Sequence, residues 1–231
     1  MSIHDGHRSR LDEKVKKFGL EMLEEHEQLE HLLYAVIPRG DTNDIAHELL
    51  ERFGTISAVL NASETELEKV EGVGPRTAKF IKDLIPLLGI VERSAKYRIP
   101  PRLDTAEKIA DFVKTYFYGR LTEEVYMFSL NTSYRLVAVN KLRSGIAGEV
   151  YVFPSEIAKL ALLDNATAII VAHNHPGGSI NPSRLDITLT DKIRKACKAI
   201  EVELLDSMVV SGEEYFSIMN HGYMEDVDRE Y

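Results

Sequence analysis

The stretch Ala166–Ala172 is apolar at every position except Thr167, and it runs directly into His173-Asn174-His175-Pro176-Gly177-Gly178. It is far shorter than the roughly 20 residues needed to cross a bilayer. Its β-branched centre, Ile169-Ile170-Val171, favours an extended strand over a helix. A strand this uniformly apolar has to be buried. The chain is therefore expected to build a sheet with other elements packed over it.

The flanking sequence supplies those elements. Pro154-Ser155 opens a helix through Leu163, and Ser183–Ile200 reads as a second. Val125–Leu130 and Tyr134–Leu142 read as strands joined by the turn Asn131-Thr132-Ser133, and Leu204–Val210 and Tyr215–Ile218 as two more. Asp104 or Thr105 caps a further helix carrying Ile109, Phe112, Val113, Tyr116 and Phe117, which Gly119 ends. Mixed helices and antiparallel hairpins predict an α/β (α+β) domain in three layers over residues 104–231. Residues 1–93 lack strand signals. Leu29, Leu32, Leu33 and Val36, then Ile45, Leu49 and Leu50, recur at helical spacing, so this part is expected to be a small helical domain. Residues 94–103, with Pro100-Pro101, cannot continue a helix and read as the linker.

A formal charge of −9 over 231 residues excludes whole-molecule attraction to nucleic acid or an anionic membrane. One cysteine, Cys197, allows neither an intramolecular disulfide nor a thiolate-rich zinc site. Met1-Ser2-Ile3-His4-Asp5 lacks the basic-then-apolar order of a signal peptide, and a cytoplasmic protein without a membrane span is expected.

His173 and His175 lie two apart at the end of a strand, so both imidazoles project to one side. Pro176-Gly177-Gly178 turns the chain, and Asp186 follows in the first turn of the next helix, where its carboxylate can complete a three-ligand set. Nitrogen and oxygen donors suit Zn²⁺, and a fourth position left open suits hydrolysis rather than structural support. Each residue also has a plainer role. Ser183-Arg184-Leu185-Asp186 is a helix-capping pattern, and single histidines at strand ends are common. The metal reading rests on the combination.

His173-x-His175-Pro176-x-Gly178 followed by Pro182-Ser183-x-x-Asp186 resembles the JAMM (MPN+) metalloprotease signature, and His-Asn-His-Pro resembles its bacterial RadC branch. Gly6-His7-Arg8, Ala35–Thr42, Val70–Gly74, Phe153–Ile157 and Leu205-Asp206 follow the order of RadC proteins, so the resemblance covers nearly the whole chain. Gly177, Ser155 and Ser207 depart from that pattern, standing where the branch has Ser, Arg and His. The resemblance implies a three-layer JAMM/MPN-like, cytidine-deaminase-type fold with one zinc ion per chain held by His173, His175 and Asp186. It also implies a glutamate at the start of a strand that acts through the metal-bound water. Matching Leu130-Asn131 to the end of that strand picks Glu123. Glu124 faces the other way, and Glu156 reads as an acidic helix start. Ser183 resembles the serine that helps stabilise the oxyanion, beside its capping role.

Gly72-Val73-Gly74, within Val70–Ala78, resembles the hairpin of helix–hairpin–helix DNA-binding modules, with Arg76, Lys79 and Lys82 nearby. Against DNA contact, residues 1–95 carry 12 Lys/Arg and 18 Asp/Glu, a net charge of −6. Any contact there is expected to be weak. Lys192, Arg194, Lys195 and Lys198 read as a solvated helix face, Cys197 as core, and His221 and the N-terminal histidines as surface residues. Two functions follow. The first is a zinc metallopeptidase or isopeptidase acting on a peptide or protein. The second is a DNA-repair-associated protein or nuclease, for which two metals about 3.5–4 Å apart would be more usual. A zinc deaminase is disfavoured because the Pro-Cys-x-x-Cys element is missing.

Overall fold

The computed structural model describes residues 5–145 and 152–221. Met1, Ser2, Ile3 and His4, whose order argues against a signal peptide, lie outside them. The described chain forms two compact units divided between Leu87 and Leu88. That division falls upstream of the proline-marked segment 94–103.

The first unit is helical. It holds α1 (Asp5–Phe18), α2 (Glu25–Leu33), α3 (Thr42–Phe53), α4 (Ile56–Asn61), α5 (Glu64–Leu67) and the start of α6 (Pro75–Lys96). Asp41, Thr55 and Ser63 cap α3, α4 and α5 through their side chains, and Gly54, at φ 88°, ends α3. The core joins Leu29, Leu33, Leu49, Val59, Leu67 and Ile81. The N-terminal Gly6-His7-Arg8 motif fastens α1 to this core. Arg8 donates to the carbonyls of Ile37, Pro38 and Gly40, and His7 meets the buried Glu30, which also accepts from Tyr34 and Asn43. His7 is thus an internal partner, not the free surface histidine expected.

The second unit continues with α7 (Ala106–Phe117), β1 (Glu123–Leu130), β2 (Leu136–Gly145), α8 (Pro154–Leu163), β3 (Ala168–Asn174), α9 (Arg184–Lys198), β4 (Glu203–Ser211) and β5 (Glu214–Ser217). One sheet runs in the order β2-β1-β3-β4-β5, parallel only between β3 and β4. Strand alternation sorts the side chains to two faces. Tyr126, Phe128, Ile170, Ala172, Met208 and Val210 pack with α7. Val125, Met127, Ile169 and Val171 pack with Ile157 of α8 and Ile193 and Cys197 of α9. The result is three layers with β3 wholly buried, as its composition predicts. No helix among the described residues is long and apolar enough to cross a membrane.

Candidate metal centre

Strand β3 ends at the site. His173 is buried in its last turn of pairing, and His175 is half-buried just past the strand's end. Their Nε2 atoms stand 3.1 Å apart. The first turn of α9 brings Asp186 alongside, with Oδ1 3.5 Å from His173 Nε2. One ligand atom from each of the three residues lies within 4.8 Å of the others. Three donors from a strand, a loop and a helix thus face one point, on the α8/α9 side of the sheet.

Neighbouring groups prepare each donor. His175 Nδ1 donates to the Ser179 carbonyl at 2.7 Å, which fixes the ring with Nε2 toward His173. Burial lowers the His173 pKa to about 4, opposing the pull of Asp186, so its imidazole is neutral and able to ligate at neutral pH. Asp186 Oδ2 accepts from the Ser183 amide and hydroxyl, both at 2.7 Å, while its own amide donates to Ser183 Oγ. The capping box therefore turns Oδ1 toward the histidines. Capping and ligand positioning are one arrangement here.

The register of β1 against β3 sorts the two glutamates. Val125 pairs with His173, so the next residue of β1 on that face is Glu123. Glu123 is half-buried and lines the cavities that also hold His173, His175 and Asp186. Glu124 is buried on the opposite face, where it accepts from Tyr126 Oη and Lys141 Nζ and lies 3.5 Å from Arg120 Nε. Glu156 sits away from the cluster and receives two hydrogen bonds from Arg143. Ser183 lines the cleft beside Asp186.

Two positioning residues are not apparent from the sequence pattern. Asn174, between the histidines, accepts from the Glu124 amide at 2.8 Å and donates to the Thr122 carbonyl at 3.1 Å. It thereby clasps the backbone on either side of Glu123. Ser211, at the end of β4, donates to the carbonyls of His175 and Gly178, and the His175 amide donates to the Val210 carbonyl. These bonds fix the Pro176-Gly177-Gly178 turn, in which Gly177 adopts φ +65°. A polar residue between two ligands and a serine 36 positions downstream carry no motif of their own.

Elsewhere Cys197 is fully buried, with its thiol pKa raised to about 11 by that burial, and is unreactive. His221 stacks on Phe216 and contacts the Ser217 carbonyl. In the helical unit, Gly72 at φ +85° approaches Ile45 so closely that a Cβ would lie 2.6 Å from its Cδ1, whereas open space faces Gly74. Of the nearby cations, Lys79 pairs with Asp83 and Lys82 donates to the Asn61 carbonyl.

Residues 103–223 match the family model described as the RadC-like JAB domain, and residues 42–85 match a helix-hairpin-helix motif. The chain is 36% identical over 220 residues to a UPF0758 protein of Ruegeria pomeroyi, covering 94% of this chain and 97% of that one. It is 35% identical over 214 residues to a UPF0758 protein of Ralstonia nicotianae, covering 92% and 94%. A UPF0758 protein of Fusobacterium nucleatum is 33% identical over 227 residues, covering 95% and 97%.

Proposed function

We propose that this protein, which belongs to the RadC-like JAB domain family, is a zinc-dependent hydrolase that cleaves an amide bond in a peptide or protein. The observation carrying this reading is that His173, His175 and Asp186 bring three donor atoms within 4.8 Å of one another, while Glu123, outside that set, lines both the cleft it shares with His175 and Asp186 and the smaller cavity it shares with His173 and Asp186. The donors fit zinc: the neutral imidazole of His173, the imidazole of His175 anchored through Nδ1, and one carboxylate oriented by a cap. Zinc held there would lower the pKa of a water toward about 7 and polarise a carbonyl.

The remaining chemistry belongs to the chain. Glu123 takes up a proton from the attacking water and returns it to the leaving amine, with Asn174 holding its backbone in place. Ser183 has a second task. Its amide also holds Asp186 Oδ2, so its hydroxyl can give up that bond and donate instead to the oxygen that gains charge as the carbonyl is attacked, while Oγ still accepts from the Asp186 amide. A single-metal donor set with a separate carboxylate supports amide hydrolysis over phosphodiester cleavage. The test is zinc analysis combined with cleavage of an unbiased peptide library, run beside a nuclease assay on the same preparation. Peptide cleavage that requires zinc supports the reading, and nuclease activity alone sinks it.

A second role rests on the helix-hairpin-helix match. Gly74 is exposed, with open space where a Cβ would lie just before the α6 N-terminus, so a phosphate oxygen can approach there, and the exposed Arg76 adds charge. We assign weak, sequence-independent DNA contact to this hairpin.

A further inference from the structure

The cleft that holds His175 and Asp186 is lined largely by apolar surface. It encloses about 620 Å³ between the start of α8 and the first two turns of α9. Phe153 and Pro154, at the start of α8, and Leu185 and Leu189 of α9 line it. Leu185 is 72% exposed and Phe153 59%, although both are large apolar side chains beside Glu123 and Asp186. Neither is packed into the core clusters of the unit. Leu185, Leu189 and Lys192 recur at helical spacing, so one stripe of α9 passes from apolar to cationic as it leaves the donors. Lys192 is exposed and makes no ion pair among the described residues, whereas Arg194 and Lys195 both pair with Asp191.

We infer that this cleft selects a peptide with a bulky apolar side chain next to the hydrolysed bond and a carboxylate farther along the chain. The inference rests on the hydrolase reading above and specifies its substrate. Asp186 marks the reacting end, and its neighbour Leu185 is the first apolar surface a bound chain meets. A Leu, Phe or Met side chain would cover Leu185 and Phe153 and remove their surface from water. Glycines flanking the bond would leave both exposed. Lys192 lies seven positions along the helix from Leu185, a rise of about 10 Å at 1.5 Å per residue. That spans about three residues of extended chain at 3.3 Å each. The carboxylate is therefore an acidic side chain, or the chain's own C-terminus, about three residues from the apolar one.

The experiment selects from a random octapeptide library on the full-length, zinc-loaded Glu123→Gln protein, which retains bound peptides, and sequences the retained pool. Enrichment of Leu, Phe or Met followed about three residues later by Asp, Glu or the C-terminus is expected. For one enriched peptide, fluorescence anisotropy should show binding weakened about tenfold by adding Leu185→Ser. Lys192→Glu should weaken the acidic peptide and spare its Gln counterpart, with zinc content unchanged in both. A pool without apolar enrichment, including one with no binding above background, overturns the inference. So does unchanged binding in Leu185→Ser. The two readings separate in the unsubstituted protein. Selective binding without cleavage of the same peptides removes the hydrolase and keeps the cleft specificity, and cleavage indifferent to side chain does the reverse.

Discussion

Val125 pairs with His173 across β1 and β3, and this one pairing decides which of two adjacent glutamates borders the His173, His175 and Asp186 cluster. Side chains opposite each other in an antiparallel pair project to the same face. Two residues on from Val125, Glu123 shares the face of His173, while Glu124 turns into the layer beneath α7. The glutamates should therefore fail in different ways when changed.

Glu123→Gln is expected to keep its zinc and its thermal stability and to lose peptide cleavage by about 10²–10⁴-fold, the usual worth of a general base. Glu124→Gln should instead lower stability by about 1–3 kcal/mol, because Arg120 and Lys141 lose the carboxylate between them. Denaturant melts and cleavage rates on both variants decide this. Full activity in Glu123→Gln would remove the general-base role.

Elemental analysis should find about one zinc per chain, with His173→Ala and His175→Ala each losing most of it. Ser183→Ala is expected to lose less, since the Ser183 amide still holds Asp186. Full occupancy in either histidine variant would rule out the proposed donors.

Asn174→Ala should cost about 1–3 kcal/mol, since it strands the buried Glu124 amide and frees the Thr122 carbonyl. If the clasp positions Glu123, the cleavage rate should also fall while zinc content stays at its usual level. A loss of stability with no change in rate would confine Asn174 to holding the sheet.

Asp206, buried on β4, has its pKa raised to about 6 by desolvation, against the hydrogen bonds from Ser217 and Ser207 and the nearby His221. The fold therefore favours the protonated acid. That stabilisation is complete below the ordinary carboxylate range near pH 4 and is lost as the pH rises through about 6. Across that window the wild type should lose about 2–3 kcal/mol relative to Asp206→Asn, which cannot ionise. Denaturant midpoints of both proteins from pH 4 to 8 measure the difference, and parallel curves would refute it.

DNA binding by the hairpin should weaken steeply from low to physiological salt and fall further in Arg76→Ala. Gly72→Ala should cost about 1–2 kcal/mol of stability, because its positive φ and the nearby Ile45 leave no room for a Cβ. Mobility shifts on full-length protein test the first point. No shift at low salt would remove DNA from the account of this domain.

Much of the second unit is readable from local pattern. The apolar run at 168–172, the β-branched strands and the capping residues Thr105 and Ser183 specify element type through side-chain spacing and turn chemistry, which are short-range properties. The donor trio is readable for the same reason, since its spacing follows from a strand, a turn and a helix start in direct succession. The division inside α6 is less legible. Helix α6 runs on to Lys96 past an internal proline, Pro86, and the division between the units falls just after it, at Leu87.

The sequence by itself determined the layered fold, the candidate trio His173, His175 and Asp186, and the opposite faces on which Glu123 and Glu124 must lie, because alternation along a strand is a property of the backbone. Only the tertiary structure decided which face looks toward the donors, since that depends on the register of β1 against β3, a pairing 48 residues apart in the chain. The same holds for Asn174 reaching back to Thr122, Ser211 pinning the histidine loop, and Phe153 and Leu185 lining one cleft. Each brings together segments distant in sequence, and such pairings leave no local periodicity to read.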